Sequence, residues 1–349
     1  MIMKAPKNAL LLLICFGFPG LLMAQSKVGT TSAQFLKISV GPRASAMGDA
    51  FVALANDASG LFWNPAGAAD LKGNQVFLNH TEWLAGIAHN YGAVVIPMAQ
   101  YGTFGASVTS LTMGEMMVRT EENPNGTGEM FTVSGISAGA SYAKRLTDRF
   151  SIGFNAKYIQ EQIWHMSAST FAIDVGSLFR TRFNDMKIGM CISNFGGDMQ
   201  MTGQDALITY DADPYISGNN DNINAHLDTE FWSLPLIFRV GVSMDIIHNE
   251  FMRVTAAVDA VHPNDVDEYL NLGTEISWNE IIFLRAGIRQ FGNDIFAGKT
   301  IDFLGSGSPT FGAGINYPIY NMMKLGVDWA FVDYDKLEKT QRFAILFTF

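Results

Sequence analysis

The chain contains only two cysteines, Cys15 and Cys191, among its 349 residues. Cys15 lies in a predicted signal peptide, so a single cysteine would remain after cleavage and an intrachain disulfide is excluded. Charged residues are also scarce, at 16% of the chain against the roughly 25% usual in soluble domains. The formal net charge of −10 argues against nucleic acid as a partner.

Long apolar runs are missing after residue 24, where no segment approaches the ~18 consecutive apolar residues of a membrane helix. The chain is nevertheless 48% hydrophobic and 12% aromatic, and it contains 34 glycines. Hydrophobic residues that are frequent but form no long runs must alternate with polar residues, as they do in the strands of an outer-membrane barrel. The composition therefore favours an all-β transmembrane barrel.

Arrangements typical of catalysis or metal binding are not found. The zinc-binding sequence His-Glu-x-x-His is absent, and the six histidines lie mostly at strand ends or in turns. The acidic stretch around Asp211 and Asp213 lacks the ligand order and closing glutamate of a calcium-binding EF-hand loop. We predict no catalytic residue, no cofactor and no metal site.

Residues 1–24 are predicted to be a cleaved secretory signal peptide. Lys4 and Lys7 precede an apolar run over residues 9–23, and Ala24 is the expected last residue before cleavage. The alternative is a membrane anchor, but the run is short and is interrupted near its end. The sequence therefore predicts export from the cytoplasm.

The other end of the chain is the clearest strand. Phe343, Ile345, Phe347 and Phe349 alternate with other residues, so a strand would place all four on one face. We interpret this face as lipid-contacting, the strand as the one that closes a barrel, and Phe349 as an assembly signal.

Fourteen alternating segments are predicted as antiparallel strands, with a margin of two because the first and twelfth are weak. They lie near 75–83, 89–97, 101–111, 131–145, 150–163, 170–182, 186–195, 234–246, 251–261, 269–278, 281–290, 310–318, 323–334 and 339–349. Every second connection is short, and the long ones include 112–130, 196–233 and 291–309. Short periplasmic turns alternating with long external loops are typical of an outer-membrane barrel.

Residues 25–74 are predicted to form a hatch inside the barrel of 75–349, because their apolar residues need burial. One helix of about three turns is expected over 44–55, after Pro42. Asn64 is the expected N-cap of a second short helix over 66–71, with Pro65 at its first position.

The stretch 35–50, continued by 56–58 and 63–67, closely resembles the N-terminal motif of the PorV/PorQ family. The residues that carry this resemblance, and that we take as the hatch motif, are Gly41, Pro42, Arg43, Gly48, Asp49, Asn56, Asp57, Asn64, Pro65, Ala66 and Gly67. That family belongs with FadL-like barrels, whose N-terminal hatch contains an Asn-Pro-Ala element.

The resemblance implies a non-enzymatic outer-membrane barrel that serves type IX protein secretion. Its expected partners are outer-membrane lipid, a large translocon barrel and secreted cargo carrying C-terminal sorting domains. The alternative is a FadL-like transporter of long-chain fatty acids or other hydrophobic small molecules, and a third possibility is a purely structural barrel. The resemblance does not distinguish PorV from PorQ.

The alternation within each strand places a set of charged residues on the lumen side. Charged side chains on the lipid face would lower the stability of the barrel, which supports this assignment. They are Lys157, Asp174, Arg180, Arg239, Arg253, Asp259, Arg285, Arg289 and Asp328. We expect a neutralised network that holds the hatch, with Asp49 and Asp57 paired to barrel arginines. The alternative is a charged path for a polar solute.

The acidic loop 196–233 is the predicted docking surface for a partner protein. Tyr210, Tyr215, Phe231 and Trp232 are its expected aromatic anchors, and the alternative is a merely solvated acidic loop. Trp83, Trp164, Trp232 and Trp278 fall near predicted strand ends, where we expect aromatic girdles.

Overall fold

Fourteen antiparallel strands dominate the computed structural model of the protein. It describes residues 28–213, 215, 218, 220, 222–292, 307–319, 323–334 and 339–349. The predicted signal peptide, 1–24, lies outside the described residues. The fourteen strands are β1 (Gln75–Glu82), β2 (Ala88–Pro97), β3 (Thr103–Thr112), β4 (Val133–Thr147), β5 (Phe150–Ile163), β6 (Met166–Arg180), β7 (Lys187–Gly196), β8 (Ile237–His248), β9 (Met252–Pro263), β10 (Tyr269–Trp278), β11 (Ile282–Phe291), β12 (Ser308–Ile319), β13 (Met323–Val332) and β14 (Thr340–Thr348).

Each strand pairs with its neighbours in the sequence, and β14 pairs with β1 to close the barrel. The closing register runs from Gln75 opposite Thr348 to Glu82 opposite Gln341. The predicted all-β barrel of fourteen strands is therefore confirmed. β6 begins four residues before its predicted start, because Met166 pairs with Ile163 of β5. The sequence alternates poorly over residues 166–169, so the prediction began the strand too late.

The strands alternate between an outer apolar face and an inner polar face. In β14, Phe343 and Ile345 are 48% and 41% exposed on the outside, while Arg342 and Ala344 are buried. Short turns collect at one end of the barrel and the long loops at the other, as in outer-membrane barrels. The long-loop end is therefore the external end, and the opposite end is periplasmic.

Short helices from the N-terminal segment lie against the inner wall. They are the 3₁₀ helix Gln34–Lys37, α1 (Pro42–Ala46), α2 (Gly60–Trp63) and the 3₁₀ helix Pro65–Asp70. We call residues 31–74 the hatch. Its large apolar side chains, including Phe51 and Trp63, are buried between it and the wall.

The three-turn helix predicted over 44–55 is wrong, since α1 ends at Ala46. Gly48 and Asp49 both have positive φ, a conformation that an α-helix does not contain. The backbone N–H groups of Phe51 and Val52 instead donate to Asp259 Oδ2 on β9, at 2.7 and 2.9 Å. The wall therefore satisfies donors that a helix would have satisfied internally.

Asn64 is an N-cap, as predicted, because its side-chain oxygen accepts from the N–H of Ala66. The helix that follows is a 3₁₀ helix rather than an α-helix. The Nδ2 group of Asn64 donates to the carbonyls of Val52 and Ser177, each at 2.9 Å. One amide thus joins two parts of the hatch to β6 of the wall.

The long loops contain structure of their own. Residues Met116–Met117 pair with Met130–Phe131, Met199–Gln200 with Phe231–Trp232, Leu207–Tyr210 with Ile223–His226, and Thr202–Gly203 with β6. Single 3₁₀ turns occur at Leu84–Gly86, Ala99–Tyr101 and Gln204–Ala206. Within the described ranges, no helix is long and apolar enough to cross a membrane.

Candidate functional site

Glu275 on β10 is the centre of a charged network that joins the hatch to the wall. The Nε atom of Arg43 in the hatch lies 2.8 Å from Glu275 Oε2, and that of Arg285 lies 2.7 Å from the same oxygen. Arg253 Nη1 lies 3.4 Å from Oε1. Arg285 stands directly opposite Glu275 in the strand register, so sequence spacing alone sets up that pair. A fully buried carboxylate thus binds three guanidinium groups.

The two hatch aspartates have different partners. Asp49 lies 3.1 Å from Nη2 of Arg289 on β11 and accepts a 2.6 Å hydrogen bond from Ser39. This is the barrel pairing that we expected. Asp57 instead pairs at 2.9 Å with Arg43, which is itself a hatch residue, so the prediction of a barrel partner for Asp57 is wrong. The physical reason is that Arg43 bridges Asp57 to Glu275.

The other predicted lumen charges also lie on the inner side. Lys157 pairs with Asp174 at 2.8 Å, and Arg180 reaches Asp70 of the hatch at 3.1 Å. Arg239, Arg253, Asp259, Arg285 and Asp328 line the interior or contact the hatch. Their proposed role in holding the hatch remains a prediction.

Arg342 and Glu275 are buried charged residues that join the hatch to the wall, but both were missing from the predicted set. Arg342 on β14 is completely buried and donates to Ser39 O at 2.7 Å, to Ser45 Oγ and to Tyr334 Oη at 2.8 Å. Both residues occupy inward-facing positions of their strands, so applying the alternation to every strand would have found them.

Trp83, expected in an aromatic girdle, instead packs on Tyr334 with ring centroids 5.1 Å apart.

A short strap, residues 31–37, fastens the start of the hatch to the external rim. Asp265, in the connection between β9 and β10, accepts from Lys37 Nζ at 2.8 Å, Thr31 Oγ1 at 2.9 Å and Gln34 Nε2 at 3.0 Å. Burial opposes ionisation of Asp265, but the hydrogen bonds from Gln34 and Lys37 outweigh it and lower the pKa of this carboxyl. Its stabilisation of the strap is therefore present at neutral pH and is lost as the pH falls through that lowered pKa.

Replacing Asp265 with asparagine is expected to release the strap without opening the barrel. Hydrogen bonds to a charged group contribute about 1.5–3 kcal/mol, which corresponds to about tenfold to hundredfold faster local opening. Amide hydrogen exchange over residues 31–37 measures this. The control is Asp267→Asn, an exposed neighbour that should change nothing. Equal exchange in both variants would show that Asp265 does not hold the strap.

The predicted docking residues are all exposed on the external side. Tyr215 is 96% exposed, Phe231 65%, Tyr210 53% and Trp232 43%. They belong to two separate ribbons: Tyr210 and Tyr215 to the hairpin built on Leu207–Tyr210, and the other two to the ribbon with Met199–Gln200. The terminal Phe349, the predicted assembly signal, follows β14 and is 56% exposed.

A cavity of about 410 Å³ opens at the external end, above the hatch. Its lining comes from the hatch, from the external ends of β3, β8, β10 and β11, and from the connection between β1 and β2. Aromatic and aliphatic side chains share this lining with Lys37, Asp49, Arg239 and Arg289. The hatch forms the floor of the cavity, so its opening faces the cell exterior.

Neither a catalytic nor a metal arrangement is seen in the described part of the chain. The stretch Gly135 to Gly139 has the Gly-x-Ser-x-Gly spacing of a nucleophile elbow, a spacing that our sequence analysis missed. It lies within strand β4, where Ser137 pairs with Thr109 and Ile159, and not at a strand-to-helix turn. No group of three or more His, Cys, Asp or Glu side chains there is arranged to hold a metal ion.

A closed barrel of fourteen strands with an internal N-terminal hatch is the FadL-like barrel fold. The toluene transporter TbuX of Ralstonia pickettii superposes with a TM-score of 0.56 at 12% identity, covering 89% of this chain and 98% of that chain. The toluene transporter TodX of Pseudomonas putida gives 0.55 at 13% identity, with 89% and 97% covered. A FadL homologue of Pseudomonas aeruginosa gives 0.52 at 12%, with the same coverage. Identities this low establish the fold alone.

The family is established by sequence. The model of the type IX secretion system protein PorV matches residues 22–262, which is more than half of the chain. The protein therefore belongs to the PorV family, a family of non-enzymatic outer-membrane barrels associated with type IX secretion. A search of curated proteins gave no match.

Proposed function

We propose that the protein receives secreted cargo at the cell surface, as an accessory of the type IX translocon, through external loops 112–130, 196–233 and 291–309. The observation that carries this proposal is the exposed apolar surface on the described part of the second loop. Much of the third loop lies outside the described residues. The cargo would carry C-terminal sorting domains, and a large translocon barrel would be the neighbour in the membrane.

The surface of loop 196–233 has the character of a protein-binding site. The hairpin of Leu207–Tyr210 and Ile223–His226 exposes Ile208 and Ile223 at 38% and 40%, on the same face as Tyr210. Contiguous exposed apolar side chains in a water-facing segment mark interaction surfaces. Trp and Tyr are enriched among the few residues that dominate the binding energy of protein interfaces.

The lumen offers little support for a channel in this state. The hatch occupies the barrel, Trp63 and Phe51 are buried against the wall, and Glu275 fixes Arg43. A surface role needs no path through the barrel, whereas conduction would need these contacts to break. These contacts therefore favour a receiving platform over an open pore.

Replacing Tyr210, Tyr215, Phe231 and Trp232 together with serine is expected to weaken cargo binding by at least tenfold. Loss of aromatic anchors at an interface costs about 2 kcal/mol or more. The measurement is the amount of secreted cargo held by cells that express equal amounts of assembled barrel. Tyr101→Ser is the matched control, because Tyr101 is 66% exposed in a turn at the periplasmic end. Unchanged capture by the fourfold variant would refute the role of this loop.

The second candidate is transport of hydrophobic small molecules. The cavity above the hatch favours it, since aromatic and aliphatic side chains such as Phe35, Trp63 and Leu111 line it. The neighbouring folds TbuX and TodX are toluene transporters. Transport would require the hatch to move, and the ion pairs that hold it oppose that motion.

A further inference from the structure

Basic residues are concentrated on one side of the periplasmic end of the barrel. The segments 70–72, 144–149 and 180–187 contain seven basic residues and three acidic ones, in a chain whose net charge is −10. The basic residues, which we call the basic patch, are Lys72, Lys144, Arg145, Arg149, Arg180, Arg182 and Lys187. The acidic ones are Asp70, Asp148 and Asp185. The short turns that follow β8, β10 and β12 contain no basic residue, so the positive charge is local.

The pairing of the strands brings these basic residues close together. Arg180, the last residue of β6, stands directly opposite Lys187, the first residue of β7. The backbone N–H of Arg180 also donates to the carbonyl of Arg149 at 2.8 Å, which places the turn between β4 and β5 beside the same point. Like charges directly opposite each other on antiparallel strands are destabilising. An anion at this place would relieve the repulsion.

Asp70 of the hatch provides part of that compensation. Its carboxylate lies 2.5 Å from Arg145 Nη2 and 3.1 Å from Arg180 Nη2. Lys187 is influenced by Asp70 and by Asp245 at longer range. Within the described ranges, no carboxylate oxygen lies within 4.0 Å of the other five basic residues, which are Lys72, Lys144, Arg149, Arg182 and Lys187. One hatch carboxylate thus serves two arginines, and the basic patch keeps a surplus of positive charge.

Exposed apolar side chains border the basic patch on the outer surface of the barrel. Phe150 and Phe179 stand opposite each other on β5 and β6, and both are exposed. Leu146 near the end of β4 is exposed as well, and Phe183 in the turn between β6 and β7 is 70% exposed. The outer surface of such a barrel faces lipid, and aromatic side chains collect where hydrocarbon meets headgroups. The basic patch therefore lies at the level of the headgroups of the inner leaflet.

We propose that the basic patch binds the phosphate of an anionic phospholipid in the inner leaflet of the outer membrane. The exposed Arg149 and Arg182 donate to the phosphate oxygens, and the acyl chains pack on Phe150, Phe179 and Phe183. Clusters of lysine and arginine beside a membrane surface recognise anionic headgroups in this way. An acidic protein segment would match the charge but not the apolar border, which is continuous with the lipid-facing strands. The site lies at the opposite end of the barrel from the loop surface, so either proposal can fail alone.

Native mass spectrometry of the purified full-length mature protein in detergent tests this site. The probes are dioleoyl phosphatidylglycerol and dioleoyl phosphatidylcholine, which have the same acyl chains but differ in net headgroup charge. Phosphatidylglycerol is expected to bind at least about tenfold more tightly, because each basic residue near the headgroup adds to the attraction. Glycerol 3-phosphate, the soluble phosphate ester, should bind more weakly than the lipid. Equal binding of the two lipids, or binding of glycerol 3-phosphate as tight as that of phosphatidylglycerol, overturns the proposal.

Replacing Lys144, Arg149 and Arg182 together with glutamine is expected to reduce the preference for phosphatidylglycerol at least about tenfold. All three side chains are exposed, so the barrel should still assemble. The readout is the ratio of the two bound lipids, which a general loss of stability would not change. If the triple variant fails to assemble, Arg182→Gln alone should lower the same ratio by a smaller factor.

The matched control replaces three exposed basic residues outside the basic patch with glutamine, namely Arg119, Lys324 and Lys339. It removes the same amount of charge and should keep the native preference. An equal loss of preference in both triple variants would show that net charge alone attracts the lipid, which overturns the assignment to the basic patch. Binding of hexaglutamate to the native protein but not to the patch variant, without any preference between the lipids, would assign the patch to an acidic protein partner and overturn the lipid proposal.

Discussion

Glu275→Gln is expected to lower the free energy of unfolding by about 3–5 kcal/mol, the cost of breaking a buried ion pair by removing one partner. The native carboxylate is completely buried among Arg43, Arg253 and Arg285. Glutamine keeps the size of the side chain but cannot compensate three cations. Denaturant unfolding of the detergent-solubilised barrel, followed by tryptophan emission, measures the change.

Glu280→Gln is the matched control, because Glu280 also pairs with Arg253 but its side chain is 60% exposed. An exposed pair contributes at most about 1 kcal/mol, so this variant should unfold almost as the native protein does. Similar small losses in both variants would mean that Glu275 does not hold the hatch network together.

Gly287→Ala is expected to displace the hatch from the wall. A Cβ atom on Gly287 of β11 would lie 2.2 Å from the nitrogen of Gly48 and 2.3 Å from the carbonyl carbon of Met47. Both are backbone atoms, so no side-chain rotation relieves the contact. Overpacking of this kind costs about 1–3 kcal/mol or more. The hatch should shift, and single barrels in planar bilayers should carry more current than native barrels.

The control for this substitution is Gly92→Ala on the outer face of β2. There the nearest atom to an added Cβ is Leu78 Cδ2 at 3.6 Å, an ordinary contact. This variant should conduct and unfold as the native protein does. Native conductance together with native stability in Gly287→Ala would contradict the tight seating of the hatch on β11.

The barrel was predictable from sequence because strand pairing and side-chain phase obey a local period of two. The alternating residues that end at Phe349 predicted the strand that closes the barrel. The alternating segments, together with the succession of short and long connections, predicted the number of strands. Interior residues followed the same rule, and Arg342 and Glu275 were missed only because the phase was not applied to every strand.

The hatch was less predictable, because its conformation depends on the wall. The helix expected over 44–55 is replaced by turns whose N–H groups donate to Asp259, about 200 residues away in sequence. Helix propensity is a weak prior when tertiary contacts compete. The N-cap at Asn64 was predictable because its capping bond to Ala66 is local, but its bonds to Val52 and Ser177 were not.

The external cavity could not be derived from sequence either. It combines Lys37 and Trp63 of the hatch with Arg239 and Arg289 of distant strands. Strand phase placed both arginines inside the barrel. Only the folded arrangement shows that Arg289 pairs with Asp49 and that Arg239 donates to Ser193 Oγ.

The most direct test of the secretion role is a mild-detergent pull-down of the tagged protein from its native outer membrane, with partners identified by mass spectrometry. We predict recovery of a very large barrel together with exported proteins that share a C-terminal sorting domain. Recovery of the protein alone, with co-purified lipid or fatty acid, would contradict the secretion role and favour uptake of hydrophobic molecules.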